Sequence, residues 1–505
     1  MSRIIKRSLS TDNSRPRWNI KLSTPISRLP VELLLTIFRI VYVDSFSPSY
    51  DNLFTHLVLC ESVGNCLSGP YETKWRERDD IISPILFPYA LASVCTTWRD
   101  VMFLVPEFWT RIIILIDSEL FSLSDIRLQL ESSRNLSIDV TITKRSAIFE
   151  GREVDENRLV GNVTALLHPH LQRCETIHYD VLHSSSLPTM SLDLSDSMPE
   201  LRQLRLESTQ CSNAYQSASR RSVYPRNVLR FPALEKLVID GWNFIELYRN
   251  DPQWISHITG QLRLSISHYI PSGIDGGRFS FHDAFEFMSR IPRLISLTLH
   301  DIEFDFELVM RLDRFLVDEH FASLSSIELN GLSSRLTTGI LAYLELFYLD
   351  SITIIRCPLS EVGYPPHSPY LTLEDLPCTE DMCRYIAYWS GVELYISDCP
   401  TFDDSILEML GSTWGSEDGD GADLCAPRLF QLSLHNCTSF STTALRSMVE
   451  ARQAVTLGFT EVTVNDNPPL SYISVSGSAP KIFKEDKEWL ENNLDCFDWS
   501  PEKEV

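Results

Sequence analysis

Cys378 and Cys383 are separated by four residues, a spacing that suits one half of a zinc finger, but no matching Cys or His pair follows them. Cys60 and Cys66 stand further apart still, and all four read as ordinary thiols. His168-Pro169-His170 brings two imidazoles close in sequence. The proline between them makes a helix–loop junction the better reading than a metal pair. The run Glu417-Asp418-Gly419-Asp420-Gly421-Ala422-Asp423 has the carboxylate density of a calcium loop. It lacks the alternating ligands, the glycine at the sixth position and the acid at the twelfth, so a solvated loop is expected. No G-x-S-x-G, H-E-x-x-H, Walker-type or G-x-G-x-x-G sequence occurs. In a chain this acidic no carboxylate pair singles itself out as a general acid and base. No catalytic residue, cofactor or metal is therefore expected, and the chemistry to look for is recognition of another molecule. A hydrolase with a dispersed active site has no positive support.

Charge narrows the choice of partner. The 505 residues hold 44 Lys plus Arg against 68 Asp plus Glu, a formal net charge of −24. Such a surface repels phosphate backbones and anionic lipid at long range, so neither nucleic acid nor a membrane is an expected partner. The longest apolar run, Leu33 to Val43, is interrupted by Thr36 and Arg39 and falls short of the ~20 residues that span a bilayer. With 44% hydrophobic residues there is ample material for a core. No secretory signal is apparent, so the 12 cysteines are expected as reduced thiols in the cytosol or nucleus. Residues 1–25 carry Arg3, Lys6, Arg7, Arg15, Arg17 and Lys21 against Asp12 alone. They read as a disordered basic tail, with a mitochondrial presequence as the alternative.

The elements that must position a binding surface fall into two groups. After Leu29-Pro30, residues Leu33, Leu34, Ile37, Phe38 and Val41 recur at helical spacing, with Glu32 in the first turn and Ser27 or Arg28 near the cap. A second helix is predicted over about Pro88 to Met102, with Leu91, Val94, Cys95, Trp98, Val101 and Met102 on one face and Pro106 ending it. The residues between, about 44–83, read as an irregular insertion with a short helix around Leu53 to Leu59. From Arg111 the pattern becomes strand-like. Ile112 to Ile116 is largely β-branched, Leu136, Ile138, Val140 and Ile142 alternate, and Ile177 to Val181 forms another short run. Helices are predicted over Leu120 to Ser132 and Val163 to Leu167, the latter closed by Pro169.

After Ser197 one spacing returns. Leu201/Leu204/Leu206, Leu234/Leu237/Ile239, Leu294/Leu297/Leu299, Leu324/Ile327/Leu329, Leu349/Ile352/Ile354 and Leu429/Leu432/Leu434 all read L-x-x-L-x-L, with weaker copies at Leu262 to Ile266 and Leu394 to Ile396. Two apolar residues two apart on a strand share a face, so stacked copies build a parallel sheet with a continuous apolar interior. Pro199, Pro232, Pro292 and Pro427 precede four of the copies and suggest an extended approach to the strand. Successive copies lie about 25 to 45 residues apart, inside or well beyond the regular leucine-rich-repeat range of roughly 20 to 29, which points to degenerate repeats with insertions. Cys357, Cys399 and Cys437 each follow the last strand apolar residue by three. Those units resemble cysteine-containing leucine-rich repeats, in which this thiol turns inward to backbone groups of the turn.

The two early helices carry a second resemblance. Leu29-Pro30-Val31-Glu32-Leu33-Leu34-Leu35-Thr36-Ile37-Phe38, followed by Val94-Cys95-Thr96-Thr97-Trp98-Arg99, resembles an F-box, with Pro106-Glu107 and Trp109 similar to that family's trailing tryptophan. The wide separation of the helices is similar to the F-box-like domains of mushroom-forming fungi. Phe108 to Ile112, Leu128 to Leu136 and His170 to Glu175 resemble successive landmarks of those proteins. The resemblance implies an α/β architecture: a small helical F-box-like domain over 26–110, an irregular leucine-rich-repeat solenoid with a parallel sheet over 111–485, and a C-terminal cap and tail over 486–505. It implies the substrate-recognition subunit of a Skp-cullin-F-box type ubiquitin ligase. Leu29, Pro30, Glu32, Leu33, Ile37, Phe38, Val94, Cys95 and Trp98 would then bind a Skp-type adaptor, and through it a cullin–RING ligase, while the repeats hold a protein substrate. The Glu417 to Asp423 and Pro271 to Gly277 loops are candidate contacts for that substrate. The competing reading is a leucine-rich-repeat scaffold without a ubiquitin role, its early helices serving only as an N-terminal cap.

Overall fold

The computed structural model describes residues 29–47, 74–75, 86–117, 122–144, 153–194, 197–210, 229–269, 280–304, 321, 323–345, 347–359, 365–415, 422–458 and 469–501. The basic tail, the expected helix at Leu53 to Leu59 and the Pro271 to Gly277 loop lie outside them, as does most of the Glu417 to Asp423 loop. The chain divides into two compact units, Met1–Phe108 and Trp109–Val505.

In the first unit, helix α1 (Val31–Ser45) starts where the Pro30 carbonyl accepts the N–H groups of Leu33 (3.0 Å) and Leu34 (3.1 Å). Pro30 thus stands just before the first turn, where its missing N–H is of no consequence. The expected Pro88 to Met102 helix is two: α2 (Tyr89–Ala92) and α3 (Thr96–Met102). Cys95, extended at φ −164° and ψ 166°, interrupts them as the residue before α3. Six apolar residues therefore do not share one face. Trp98, Val101 and Met102 turn inward, whereas Val94 and Cys95 are exposed. Phe46–Ser47 pairs antiparallel with Lys74–Trp75, closing the base of the long insertion.

In the second unit, fourteen parallel strands form one sheet in which each strand lies beside its neighbours in sequence. They are β1 (Arg111–Leu115), β2 (Ile138–Thr143), β3 (Cys174–His183), β4 (Gln203–Gln210), β5 (Lys236–Asp240), β6 (Leu262–Tyr269) and β7 (Leu294–Ile302). Then come β8 (Ser326–Asn330), β9 (Ser351–Ile355), β10 (Tyr370–Glu374), β11 (Glu393–Ser397), β12 (Gln431–His435), β13 (Tyr472–Gly477) and β14 (Cys496–Pro501). Helices or irregular segments carry the chain back between them, giving the α/β leucine-rich-repeat-like architecture expected from the spacing.

Register shows why the pattern recurs. Ile112, Val140, Ile177, Leu204, Leu237, Leu264, Leu297, Ile327, Ile352, Leu371, Leu394, Leu432 and Ile473 are paired strand to strand in one unbroken row, all of them buried. A slip of one residue would turn every such side chain to the opposite face. Strands β10 and β13 were not among the L-x-x-L-x-L copies. Leu371/Leu373 and Ile473/Val475 nevertheless occupy the same two inward places, and β10 fills the wide interval between Ile352 and Leu394.

Each strand from β6 to β13 then ends on a backbone of the same hand. His268 (φ 56°), Asp301 (48°), Gly331 (64°), Arg356 (52°), Asp375 (49°), Asp398 (52°), Asn436 (53°) and Gly477 (67°) all stand two residues beyond the second inward apolar residue. Asp, Asn and Gly predominate because they reach the left-handed region at least cost. The turn extends the ladder: the N–H groups of Gly331, Arg356, Asp375, Asp398 and Asn436 each donate to a carbonyl of the next strand, at 2.9–3.1 Å. One place further on, Leu332, Cys357, Leu376, Cys399 and Cys437 point into the core. Cys357 Sγ accepts the Leu332 N–H (3.3 Å) and donates toward the Ile355 carbonyl (3.2 Å), and Cys399 Sγ accepts the Leu376 N–H (3.4 Å).

Two expectations need correction. Pro199, Pro232 and Pro427 stand second in hydrogen-bonded turns, not in extended approaches, with the N–H of Leu201, Leu234 and Leu429 donating to the carbonyls of Met198, Phe231 and Ala426. Proline fits there because its φ is already set for that place. The C-terminal segment forms the helix Lys484–Asn493 and then β14, the outermost strand of the sheet. Its Asp498 and Pro501 are devices that discourage further strand pairing. The short helix expected at Val163 to Leu167 extends over Glu153–Leu167.

Three substitutions probe this frame. A Cβ at Gly331 would lie 2.1 Å from Asp301 Oδ1 at a positive φ, whereas one at Gly161, inside Glu153–Leu167, meets nothing within 4 Å. Gly161→Ala should stabilise by about 0.5–1 kcal/mol, and Gly331→Ala should cost at least about 1–2 kcal/mol, read as opposite shifts of the urea midpoint. Asp240, at the end of β5, accepts the backbone N–H (3.0 Å) and the side-chain amide (2.9 Å) of Asn243 through Oδ1. Burial outweighs these bonds and pushes its carboxyl up to about 6. A raised carboxyl contributes stability that is present below the unfolded value near 3.8 and lost as pH rises through 6. Asp240→Asn should therefore melt higher than wild type at pH 7.5 and lose that advantage at pH 4.

Candidate functional site

Two apolar stripes run along α1, one helical step apart. Leu34 and Phe38 are buried, and Tyr42 continues their line against Phe87 and Phe108, with ring centroids at 5.5 and 5.3 Å. Phe38 meets Trp98 edge to face at 5.1 Å. The second stripe, Leu33, Ile37, Ile40 and Val41, is left in solvent, Leu33 at 51% and Ile40 at 64%. One apolar stripe suffices to fix a helix to its core, so the second, exposed one is the candidate contact surface of this unit.

Against the residues expected to bind an adaptor, Pro30, Glu32, Leu33, Ile37, Val94 and Cys95 are exposed and Leu29 is half-buried. Phe38 and Trp98 are enclosed, so they brace the helix from behind and do not themselves lie on its outer face. Val31, Ile40, Val43 and Leu104 are exposed as well and were not singled out from the sequence. Their signal was available: α1 has more apolar positions than one buried stripe can use.

In the second unit, alternate residues of the strands face away from the core and form a polar sheet surface. Over β1 to β5 its charges are matched internally. Glu207 accepts from His178 Nε2 (2.8 Å) and pairs with Arg205 (2.9 Å). Burial alone would raise its carboxyl, but these bonds prevail and hold it at about 2. Lys144 Nζ lies 3.6 Å from Asp180, whose carboxylate also takes the Thr143 hydroxyl at 3.1 Å. Further along, His300 lies 3.1 Å from Asp301, and Arg356 donates to Asn330 Oδ1 at 2.7 Å.

Over β8 to β13 the same surface is different. It carries Glu328, Glu374 and Glu393 together with Tyr370, Tyr395 and Tyr472. Among the described residues no ion pair reaches these three carboxylates. Burial, joined by Glu374, raises the carboxyl of Glu328, and burial raises that of Glu393. Tyr395 is 40% exposed, and Tyr472 stacks obliquely on Phe430 at 4.9 Å.

The other chemistry-bearing residues are structural. Cys378 precedes the helix Thr379–Ala387, and His170 Nδ1 accepts from Arg173, whose guanidinium also donates to the carbonyls of Leu130 and Leu136. Glu156, fully buried, accepts the N–H groups of Leu182 (2.7 Å) and His183 (3.0 Å) and the Ser186 hydroxyl (2.8 Å). Arg452 is buried and donates to the carbonyls of Leu410, Cys425 and Ala426, burial lowering its basicity to about 10. Among the described residues no three His, Cys, Asp or Glu side chains gather in a way that could hold a metal ion, and no helix is long and apolar enough to cross a membrane.

Thiol chemistry separates the two kinds of cysteine. Burial raises the thiols of Cys357 and Cys399 and pushes that of Cys437 up to about 12, whereas Cys95 and Cys496 are exposed. Brief iodoacetamide treatment of the native protein should label Cys95 and Cys496, and should reach Cys357, Cys399 and Cys437 only after denaturant, as mapped by peptide mass spectrometry. No family model matches this chain, and no curated protein sequence matches it.

Proposed function

We propose that this protein is the substrate-recognition subunit of a Skp-cullin-F-box type ubiquitin ligase. Its helical head docks a Skp-type adaptor, and its repeat unit holds a protein substrate. The observation that carries this reading is the bare second stripe of α1, Leu33/Ile37/Ile40/Val41, rooted on an internal Phe38–Trp98 contact. It lies within the segment whose Leu29-Pro30-Val31-Glu32-Leu33-Leu34 and Val94-Cys95-Thr96-Thr97-Trp98-Arg99 resemble an F-box.

An adaptor helix laid on this stripe removes apolar area from water at roughly 25 cal/mol per Å², with the exposed Val94 and Leu104 available to widen the contact. A scaffold whose early helices served only as a cap would have its apolar residues covered. Within the first unit Leu33 and Ile37 are exposed, which supports the docking reading, while Trp98 is enclosed against Phe38.

The test uses the full chain co-expressed with a Skp-type adaptor. Leu33→Asp with Ile37→Asp alters only side chains that are already in solvent, so its melting temperature should match wild type. Adaptor co-purification should fall at least tenfold. Phe38→Ala should instead lower the melting temperature of the head, since it opens a cavity beside Trp98. Undiminished adaptor capture by the double variant, or no capture by wild type, overturns the proposal.

A further inference from the structure

The ladder between β4 and β5 is the shortest in the fourteen-stranded sheet, with three residue pairs, Gln203↔Lys236 to Arg205↔Val238. β4 runs on to Gln210 against β3, and β5 runs on to Asp240 against β6. The two strands are tied at their beginnings, where the Arg202 carbonyl accepts the N–H groups of Glu235 (2.8 Å) and Lys236 (3.0 Å). Past Arg205 and Val238 no strand pairing joins them. Two polar groups lie there, buried and, among the described residues, without a hydrogen-bond partner. They are the Ser208 hydroxyl on β4, in a residue 8% exposed, and Asp240 Oδ2 at the end of β5, in a residue 1% exposed. Such orphaned atoms are costly while sealed from water and lose that cost once water reaches them.

A chain of hydrogen bonds that starts at Asp240 spans this joint. Its Oδ1 holds both nitrogens of Asn243, in the helix Gly241–Asn250. Asn243 Oδ1 in turn accepts the Met190 N–H (3.4 Å) of the short helix Met190–Asp193, which lies between β3 and β4 in the chain. Ser191 of that short helix also donates to Glu246. Gly241 leaves no room for a Cβ against Tyr269, so the helix Gly241–Asn250 is rooted on the β6 side and reaches the β4 side through these bonds. We propose that the β4–β5 joint is a proton-operated latch: protonated Asp240 keeps it shut through Asn243, and ionisation of Asp240 lets the strands part and water enter. Burial is the main influence on this carboxyl and outweighs the Asn243 bonds, and no charged group of the described residues adds to that balance. The ionisable groups on the surrounding elements are engaged elsewhere. Glu207 and Arg205 on β4 pair with each other, His268 on β6 lies near Asp301, and Tyr269 packs on Trp242. Asp193 takes the Thr189 N–H, Glu246 takes Ser191 and Asn250, and Arg249 is exposed. The shut joint thus keeps the proton up to about pH 6, whereas a hydrated Asp240 releases it near 3.8. Opening therefore rises about tenfold per pH unit between those values and levels off above them.

The latch belongs to the repeat unit alone, so it stands or falls apart from the adaptor experiment. Peptide-resolved hydrogen exchange of the full chain reads it, each rate being divided by that of an unstructured peptide at the same pH, which removes the chemical effect of pH on exchange. Protection over residues 206–208 and over the helix Gly241–Asn250 should fall at least about tenfold between about pH 4.5 and about pH 7, while β10 to β12 keep theirs. Asp240→Asn retains an acceptor for Asn243 and cannot ionise, so it should hold the high protection across the whole range. Glu246→Gln neutralises the other carboxylate that reaches across the joint and should leave the wild-type step in place. Flat protection in wild type overturns the proposal, as does a step that survives in Asp240→Asn. A step abolished by Glu246→Gln assigns the proton to the wrong carboxylate and overturns it too. An equal loss of protection in β10 to β12 means that the whole unit loosens with pH, and no local latch exists.

Discussion

Parallel register is the constraint on which the repeat unit depends. A strand can join the sheet only if its two inward apolar residues stand at the height of those beside it, because the pleat sends intervening residues to the opposite side. The row from Ile112 to Ile473 meets that condition at each pairing. The left-handed residue ending each strand from β6 to β13 follows from the same demand. It carries the ladder one hydrogen bond further and then swings the chain inward, so that Leu332, Cys357, Leu376, Cys399 or Cys437 enters the core at one fixed offset. Such a turn tolerates few residue types, and Gly331 and Gly477 appear where the neighbouring Asp301 or Asn436 side chain occupies the space of a Cβ.

How far this was legible depends on which residues carry the signal. Leu201/Leu204/Leu206 and its copies reveal the strands because their spacing is the register itself. The thiols of Cys357, Cys399 and Cys437 betray the inward turn because they recur at one offset. Leu371 and Leu373 were passed over since the residue that would complete the motif is Ser368, whose hydroxyl donates to the Asp350 and Tyr370 carbonyls. The proline turns were misjudged because the same residue suits both an extended approach and the second place of a turn; the hydrogen bond to the following leucine decides between them. The break at Cys95 was hidden for a related reason. Helical periodicity persists across Leu91 to Met102 even though the backbone does not.

The candidate surfaces divide along the same line. Leu33 and Ile37 were identifiable because they belong to a strongly apolar helix, but periodicity alone did not separate them from Leu34 and Phe38. That separation rests on where Trp98 lies, and Trp98 is distant in sequence. The carboxylates and phenols of the polar sheet face are scattered over more than a hundred residues of sequence, as ordinary variable positions between leucines. Only the pairing of β8 through β13 sets them on one face.

The outward places of the strands carry little of the weight of the frame. Inward rows, turn residues and buried caps such as Glu156 and Arg452 fix the shape, while Thr353, Thr372, Tyr395, Ser433 and Ser474 only decorate it. In the receptor role proposed above, drift at those places would alter what the molecule reads without altering how it is built. Descendants of one scaffold would then diverge in clientele while their backbones stay superimposable.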